Sequence, residues 1–316
     1  MKEDEFLQEK KYVDIGFIFS EDGPIKTMKE DYTPRTSQVE AANLIQNILD
    51  KPCHGIIEGP CGFGKTFAYL IPIFNKLLLS PKGRRERVVI STNGISLQEQ
   101  LFYKDIPFVY ELFKNIYSYN DVSFEMLKGK QNFICNKKVE EISLAQNMSI
   151  YSESFRNALN SAEKINGDLN RLDFVLDFDE LSAISCVKKN ECQGRNCSCY
   201  DECYYQKHKS KANYADIVIT NYHILFSDVQ VERKLLGSYN ILVMDEAHEL
   251  ASIYRNFLTE EFSSNSMRHI RNYISEAGNK NKSVQDLILK SVDWNSINSK
   301  VERFFYYIEN NISKYD

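Results

Sequence analysis

The chain has 316 residues, 43% of them hydrophobic, and a formal net charge of −5, which suits a globular protein with one large core or two modest ones. No apolar run approaches the roughly 18–20 residues needed to cross a bilayer, and the charged start MKEDEFLQEKK has no apolar segment behind it, so a cytoplasmic protein with no membrane association is expected. Eight cysteines in such a chain point to metal ligation rather than to the disulfides of a small secreted scaffold.

Taken in chain order, short apolar runs at 55–58, 87–91, 215–220 and 241–244 are each followed by a helical pattern, which predicts parallel strands joined by crossover helices. Between the second and third runs lies a long polar, cysteine-bearing stretch, residues 135–203, read as an insertion. The acidic balance gives no global attraction to phosphate backbones, so nucleic-acid contact has to come from local basic surface, for which 128–138 and 207–211 are candidates. Near the end, Ile297, Val301, Phe304, Phe305 and Ile308 fall on one helical face, expected to be buried as core.

Two motifs carry chemistry. Residues 59–66 read Gly-Pro-Cys-Gly-Phe-Gly-Lys-Thr, matching G-x-x-x-x-G-K-[ST]. Gly59, Gly62 and Gly64 let the loop wrap so that backbone N–H groups face phosphate oxygens, Lys65 brings charge to the β and γ phosphates, and Thr66 offers a hydroxyl to Mg²⁺. ATP and Mg²⁺ are therefore the expected ligands. An apolar helical pattern follows, with Pro72 inside it expected to kink or shorten the helix. Further on, Ile-Leu-Val-Met at 241–244 predicts a buried strand ending in Asp245 and Glu246. Carboxylates at the C-terminal end of a parallel strand face the phosphate loop, so Asp245 can hold Mg²⁺ and Glu246 can orient water. The plainer alternative is an acidic cap for the next helix.

Asp245-Glu246-Ala247-His248 after a strand, with Gly-Lys-Thr upstream, resembles the DEAH box of superfamily 2 helicases, which implies catalytic roles for Lys65, Asp245, Glu246 and His248. The cysteines narrow the resemblance. Cys135 is followed at a distance by Cys192, Cys197 and Cys203 in C-x4-C-x5-C spacing. Four thiolates so placed can hold a [4Fe–4S] cube, whereas structural zinc more often uses paired C-x2-4-C knuckles. The arrangement resembles the XPD and DinG iron–sulfur helicases, in which a cluster domain sits between the phosphate-loop half and the DEAH half of the first motor domain. Cys186 and Cys199 remain alternatives to a named ligand, and Cys53 and Cys61 read as inert small residues.

Three smaller matches lie in the family's order. Tyr32 to Gln38 resembles an adenine-contacting Q motif, with the Gln38 amide reading the adenine edge. Thr92, Gln98 and Gln100 fall in a segment resembling the family's single-stranded DNA contact, and Ala215 to His223 resembles the strand and turn before the DEAH strand. Phe133, Tyr204 and Tyr205 are either stacking platforms or core.

The resemblance implies an α/β, RecA-like P-loop motor domain on a parallel sheet: an N-terminal extension at 1–30, motor domain 1 at 31–132 and 204–250, an iron–sulfur insertion at 133–203, and the start of a helical arch at 251–316. It implies ATP-driven, 5′-to-3′ translocation on single-stranded DNA. No second motor domain is found after Glu246, so one is expected in cis or in trans, and the chain alone is expected to bind ATP with little turnover. Two other readings stay open: a non-catalytic iron–sulfur protein that binds nucleic acid, and a zinc-containing Walker ATPase with no DNA role.

Overall fold

A computed structural model describes residues 12–51, 53–60, 62–117, 121–144, 151–187, 191–232, 234–259 and 289–312, the side chains of the last stretch to 307. The chain divides into two compact units, Met1–Phe257 and Leu258–Asp316.

The first unit is organised by one parallel sheet of β1 (Val88–Thr92), β2 (Phe124–Met126), β3 (Ile217–Asn221) and β4 (Ile241–Met244), in the order β2-β3-β1-β4. Val89 is level with Val218 on one side and Leu242 on the other. All five residues of β1 are buried, as in strands covered on both faces, which read as unbroken apolar runs. At the edge, β4 pairs with β1, and its residues alternate between half-buried and exposed.

Three strand expectations need correction. The strand at 241–244, expected to be buried, lies at the edge of the sheet with Leu242 and Met244 exposed, because among the described residues β1 covers it on one side alone. Residues 55–58 are not a strand but irregular chain with Ile56 fully exposed. An extended segment becomes a strand only where a neighbour takes its N–H and C=O groups, and among the described residues none pairs with it. Conversely β2 was missed, because three residues, Phe-Glu-Met, are too short to show a period of two.

Helices cover both faces. α1 (Ile15–Ile18) starts on an Asp14 cap and α2 (Pro24–Met28) on a first-turn proline. Ile15, Ile18, Phe19 and Ile25 are buried in the main core, so residues 15–28 pack into the first unit rather than extending from it. α3 (Thr36–Leu49) packs beside α4 (Lys65–Leu79), whose Leu70, Ile71, Phe74 and Leu77 are almost fully buried. α4 runs through Pro72 without being shortened, because the lost amide bond is outweighed by a helix buried along most of its length. After β1 come α5 (Ile95–Gln100), a π-helical turn at Leu101–Asp105 and α6 (Ile106–Tyr117).

Between β2 and β3 the cysteine-bearing segment folds around its own core of Ile134, Phe155, Ala158, Ile165, Leu169 and Ile184. It contains α7 (Asn136–Leu144), α8 (Glu153–Asn160) and α9 (Phe178–Ile184), and α10 (Tyr204–Tyr214) leads back to the sheet. Lys128, 1% exposed, ties this segment to the motor: its ammonium lies 2.7 Å from Asp168 and 2.8 Å from Glu99 on α5. Of the basic run 128–138, Lys138 is likewise turned inward, donating to the Ser182 and Ser185 carbonyls and pairing with Glu191, while Lys130 and Lys137 stay half-exposed. α11 (Tyr222–Gln230), capped by Asn221, and α12 (Leu250–Leu258) flank β4 in sequence.

In the second unit, α13 (Trp294–Ile312) leaves Phe304 53% exposed and Ile297, Val301 and Phe305 half-buried, so the expected core face is not buried within this unit. The Ile308 side chain lies outside the described residues.

Candidate nucleotide site and thiol cavity

The phosphate loop turns through two left-handed glycines, Gly62 (φ 74°) and Gly64 (φ 92°), into the N-terminus of α4. Gly64 admits no other residue: a Cβ there would stand 2.1 Å from the Gln38 amide nitrogen. Cys61 lies outside the described residues. Gln38 is buried and both ends of its amide are taken, since Nε2 donates to the Gly64 carbonyl at 2.9 Å and Oε1 accepts from the Tyr32 hydroxyl at 3.0 Å. In this conformation Gln38 braces the loop from behind instead of presenting itself to a base. Arg35 adds a hydrogen bond to the Gly62 carbonyl.

Facing the loop, β4 ends in the acidic pair. The Asp245 amide donates to the Ser91 carbonyl at 2.8 Å, extending the ladder by one bond, and Glu246 then turns left-handed at φ 57°. Such a conformation costs a non-glycine residue about 1–3 kcal/mol and gathers at functional sites. Its side chain caps no helix, which removes the plain helix-cap reading. Instead Glu246 Oε1 lies 3.3 Å from Lys65 Nζ. His248, well exposed, sits 3.3 Å from Glu246 Oε2.

Asp245 is gripped by two tyrosines that the sequence did not announce. The Tyr69 hydroxyl donates to Oδ2 at 3.2 Å, and the Tyr222 hydroxyl donates to the Asp245 carbonyl at 2.7 Å. Tyr69 also accepts from Thr66, one helical turn earlier, so one phenol joins the two groups expected to hold Mg²⁺. The signal was present in the spacing, because i and i+3 share a helix face. Burial raises the Asp245 carboxyl above the usual range and the Glu246 charge adds to this, while Tyr69 and Lys65 oppose it. A half-desolvated carboxylate of this kind is poised for a cation.

The proposed DNA contacts divide. Thr92 and Gln98 are both 0% exposed, and among the described residues neither the Thr92 hydroxyl nor the Gln98 amide has a partner. They face inward because β1 is covered on both sides and Gln98 lies on the buried face of α5. Gln100 is exposed and donates to Asp105. Of the other basic run, Lys207 and Lys211 are exposed and Lys209 is half-buried. Phe133 is buried against Tyr205 and His208, and Tyr204 packs on the segment's own core, so these rings are core.

The cysteines expected as ligands do converge. Cys135, Cys192, Cys197 and Cys203 line one cavity together with Cys186, walled by Phe133, Ile134 and Tyr205. Cys199 points elsewhere, its thiol donating to Glu140 at 3.2 Å. Two thiols sit at helix starts: amides of Lys137 and Lys138 donate to the Cys135 sulfur before α7, and those of Tyr205 and Gln206 to the Cys203 sulfur before α10. Contacts with Cys186 and these amides lower the pKa of the Cys135 thiol, whereas burial raises that of Cys203. The thiols stand around the cavity rather than gathering on one point, for among the described residues no three His, Cys, Asp or Glu side chains converge closely enough to hold a single metal ion. Five thiols and the Glu191 carboxylate are thus the side chains of this cavity that could hold a metal group.

A parallel α/β sheet with a phosphate-loop sequence opposing an acidic pair is the architecture of the RecA-like class of P-loop domains. A family model described as DEAD_2 matches residues 106–267, and the chain belongs to that family. It is 27% identical over 253 residues to the ATP-dependent DNA helicase YoaA of Escherichia coli, covering 78% of this chain and 38% of that protein. The YoaA of Haemophilus influenzae is 29% identical over 262 residues, covering 79% and 38%. The ATP-dependent helicase DinG of Mycobacterium tuberculosis H37Rv is 28% identical over 249, covering 73% and 37%. The chain thus spans under two fifths of the length of these relatives.

Proposed function

We propose that this chain binds Mg²⁺–ATP as the first motor domain of an ATP-dependent DNA helicase of the DinG and XPD type. The observation that carries the reading is the 3.3 Å approach of Lys65 to Glu246 across 181 residues of sequence. It brings the phosphate-loop cation and the acidic pair to one place, where a phosphoryl group and its Mg²⁺ would lie between them. Lys65 would leave Glu246 for the β and γ phosphates, Thr66 and Asp245 would hold Mg²⁺, and the freed Glu246 would orient the attacking water. Gly59, Gly62 and Gly64 shape the loop, Gln38 fixes its far side, and His248 links the acidic pair to the surface. Charge stabilisation from the opposite side falls to a second motor domain, in cis or in trans. An arginine so supplied is worth about 10³–10⁵ in rate, so the chain by itself should bind ATP and turn it over slowly.

Cys135, Cys192, Cys197 and Cys203 would hold a [4Fe–4S] cluster, which when bound would cross-link the segment's two ends and hold it rigid beside the motor. Single-stranded DNA is the proposed track, with 5′-to-3′ movement, and the exposed Lys207, Lys211 and Gln100 are the residues best placed to meet it; Thr92 and Gln98 would reach it only if α5 moved. Relatives named as ATP-dependent DNA helicases support this substrate.

The test is a titration of a fluorescent ATP analogue with and without Mg²⁺, paired with steady-state hydrolysis with and without single-stranded DNA. Mg²⁺-dependent binding should be lost in Lys65→Ala and kept in Glu246→Gln. An unaltered protein that binds no nucleotide, or binds it equally well as Lys65→Ala, would overturn the reading.

A further inference from the structure

A cube needs four thiolates, yet five line the cavity. Cys192, Cys197 and Cys203 come from one short stretch of chain. The other two thiols come from two chain segments lying against each other: the Cys135 amide donates to the Ile184 carbonyl at 2.6 Å, and Lys138 Nζ donates to the Ser182 and Ser185 carbonyls at 2.7 and 2.8 Å. This clamp brings Cys186 beside Cys135, and their sulfurs are hydrogen-bonded to each other. Both thiols therefore address the same part of the cavity wall, while Cys199 is held away by Glu140.

From this arrangement we infer that Cys186 is a second ligand for the corner held by Cys135, taking its place when Cys135 is absent or released. The inference rests on the iron–sulfur reading above. On binding iron Cys186 would give up its thiol proton, to the departing Cys135 sulfur where that residue is present and to solvent water where it is not. No electron moves. The remaining three corners have no such reserve, because no further thiol lines the cavity among the described residues.

The test purifies the full chain without oxygen and measures iron, sulfide and visible absorption for the unaltered protein and for Cys135→Ala, Cys186→Ala, the double variant and Cys197→Ala. The unaltered protein should carry about four irons per chain. Cys135→Ala and Cys186→Ala should each keep most of that iron, with Cys135→Ala showing an altered visible spectrum, while the double variant and Cys197→Ala should lose it. Mg²⁺–nucleotide binding together with resistance of residues 133–203 to limited proteolysis reports that each variant is folded, and Cys135→Ser replaces Cys135→Ala if alanine prevents folding. An iron-loaded unaltered protein together with a folded position-135 variant as iron-poor as Cys197→Ala would overturn the exchange alone. An unaltered protein without iron would overturn the cluster reading beneath it.

Discussion

Tyr69→Phe removes one oxygen and leaves the ring in its buried place on α4, so what it measures is the bond to Asp245. That bond, 3.2 Å to Oδ2, is the side-chain donor to a largely buried carboxylate whose other oxygen accepts from the Glu246 amide at 3.0 Å. A hydrogen bond to a charged group is worth about 1.5–3 kcal/mol net. Thr66, which loses its acceptor, is half-exposed and can turn to water, so little is added on that side. The nucleotide-free protein should therefore lose about 1.5–3 kcal/mol, or roughly 3–12 °C in Tm at about 2–4 °C per kcal/mol for a domain of this size. Urea unfolding of the four members of a Tyr69→Phe, Asp245→Ala cycle is the assay, and the coupling should exceed about 1 kcal/mol. Stability within about 0.5 kcal/mol of the unaltered protein, or strict additivity with Asp245→Ala, would refute the claim that Tyr69 holds the carboxylate.

Two further outcomes follow from buried charges. Lys128→Ala leaves Asp168 without its nearest cation in a buried setting, which should cost about 3–5 kcal/mol and make residues 133–187 the first part cut in limited proteolysis. Asp245 gives a pH signature: its folded pKa is raised by burial, so its contribution to stability is fully present below the unfolded value of 3.8 and is lost as pH rises through the folded pKa. Asp245→Asn should accordingly be the more stable form at neutral pH, with an advantage that shrinks as pH falls towards 3.8, measured by thermal unfolding across pH. A constant difference at every pH would contradict the burial argument.

What was legible in the sequence was whatever the chemistry imposes locally. A phosphate loop needs its glycines, Lys65 and Thr66 within one turn of chain, the acidic pair must follow directly on an apolar strand, and three thiols must be spaced along one short segment. Each is a constraint between near neighbours and is written as a pattern. Tertiary structure decided the questions that depend on distant segments or on which way a side chain faces. Residues 55–58 have strand composition but no described neighbour to complete a ladder, while the three residues of β2 pair only because β3 arrives beside them. Thr92 and Gln98 carry polar labels that say nothing of facing, and packing on both sides of β1 turned them inward. Between Cys186 and Cys199 spacing could not choose; the backbone bond from Cys135 to Ile184 brought one to the cavity, and Glu140 held the other away. The meeting of Lys65 with Glu246 is of the same kind, since contacts across 181 residues are set by the sheet that orders β1 beside β4 and not by any local period.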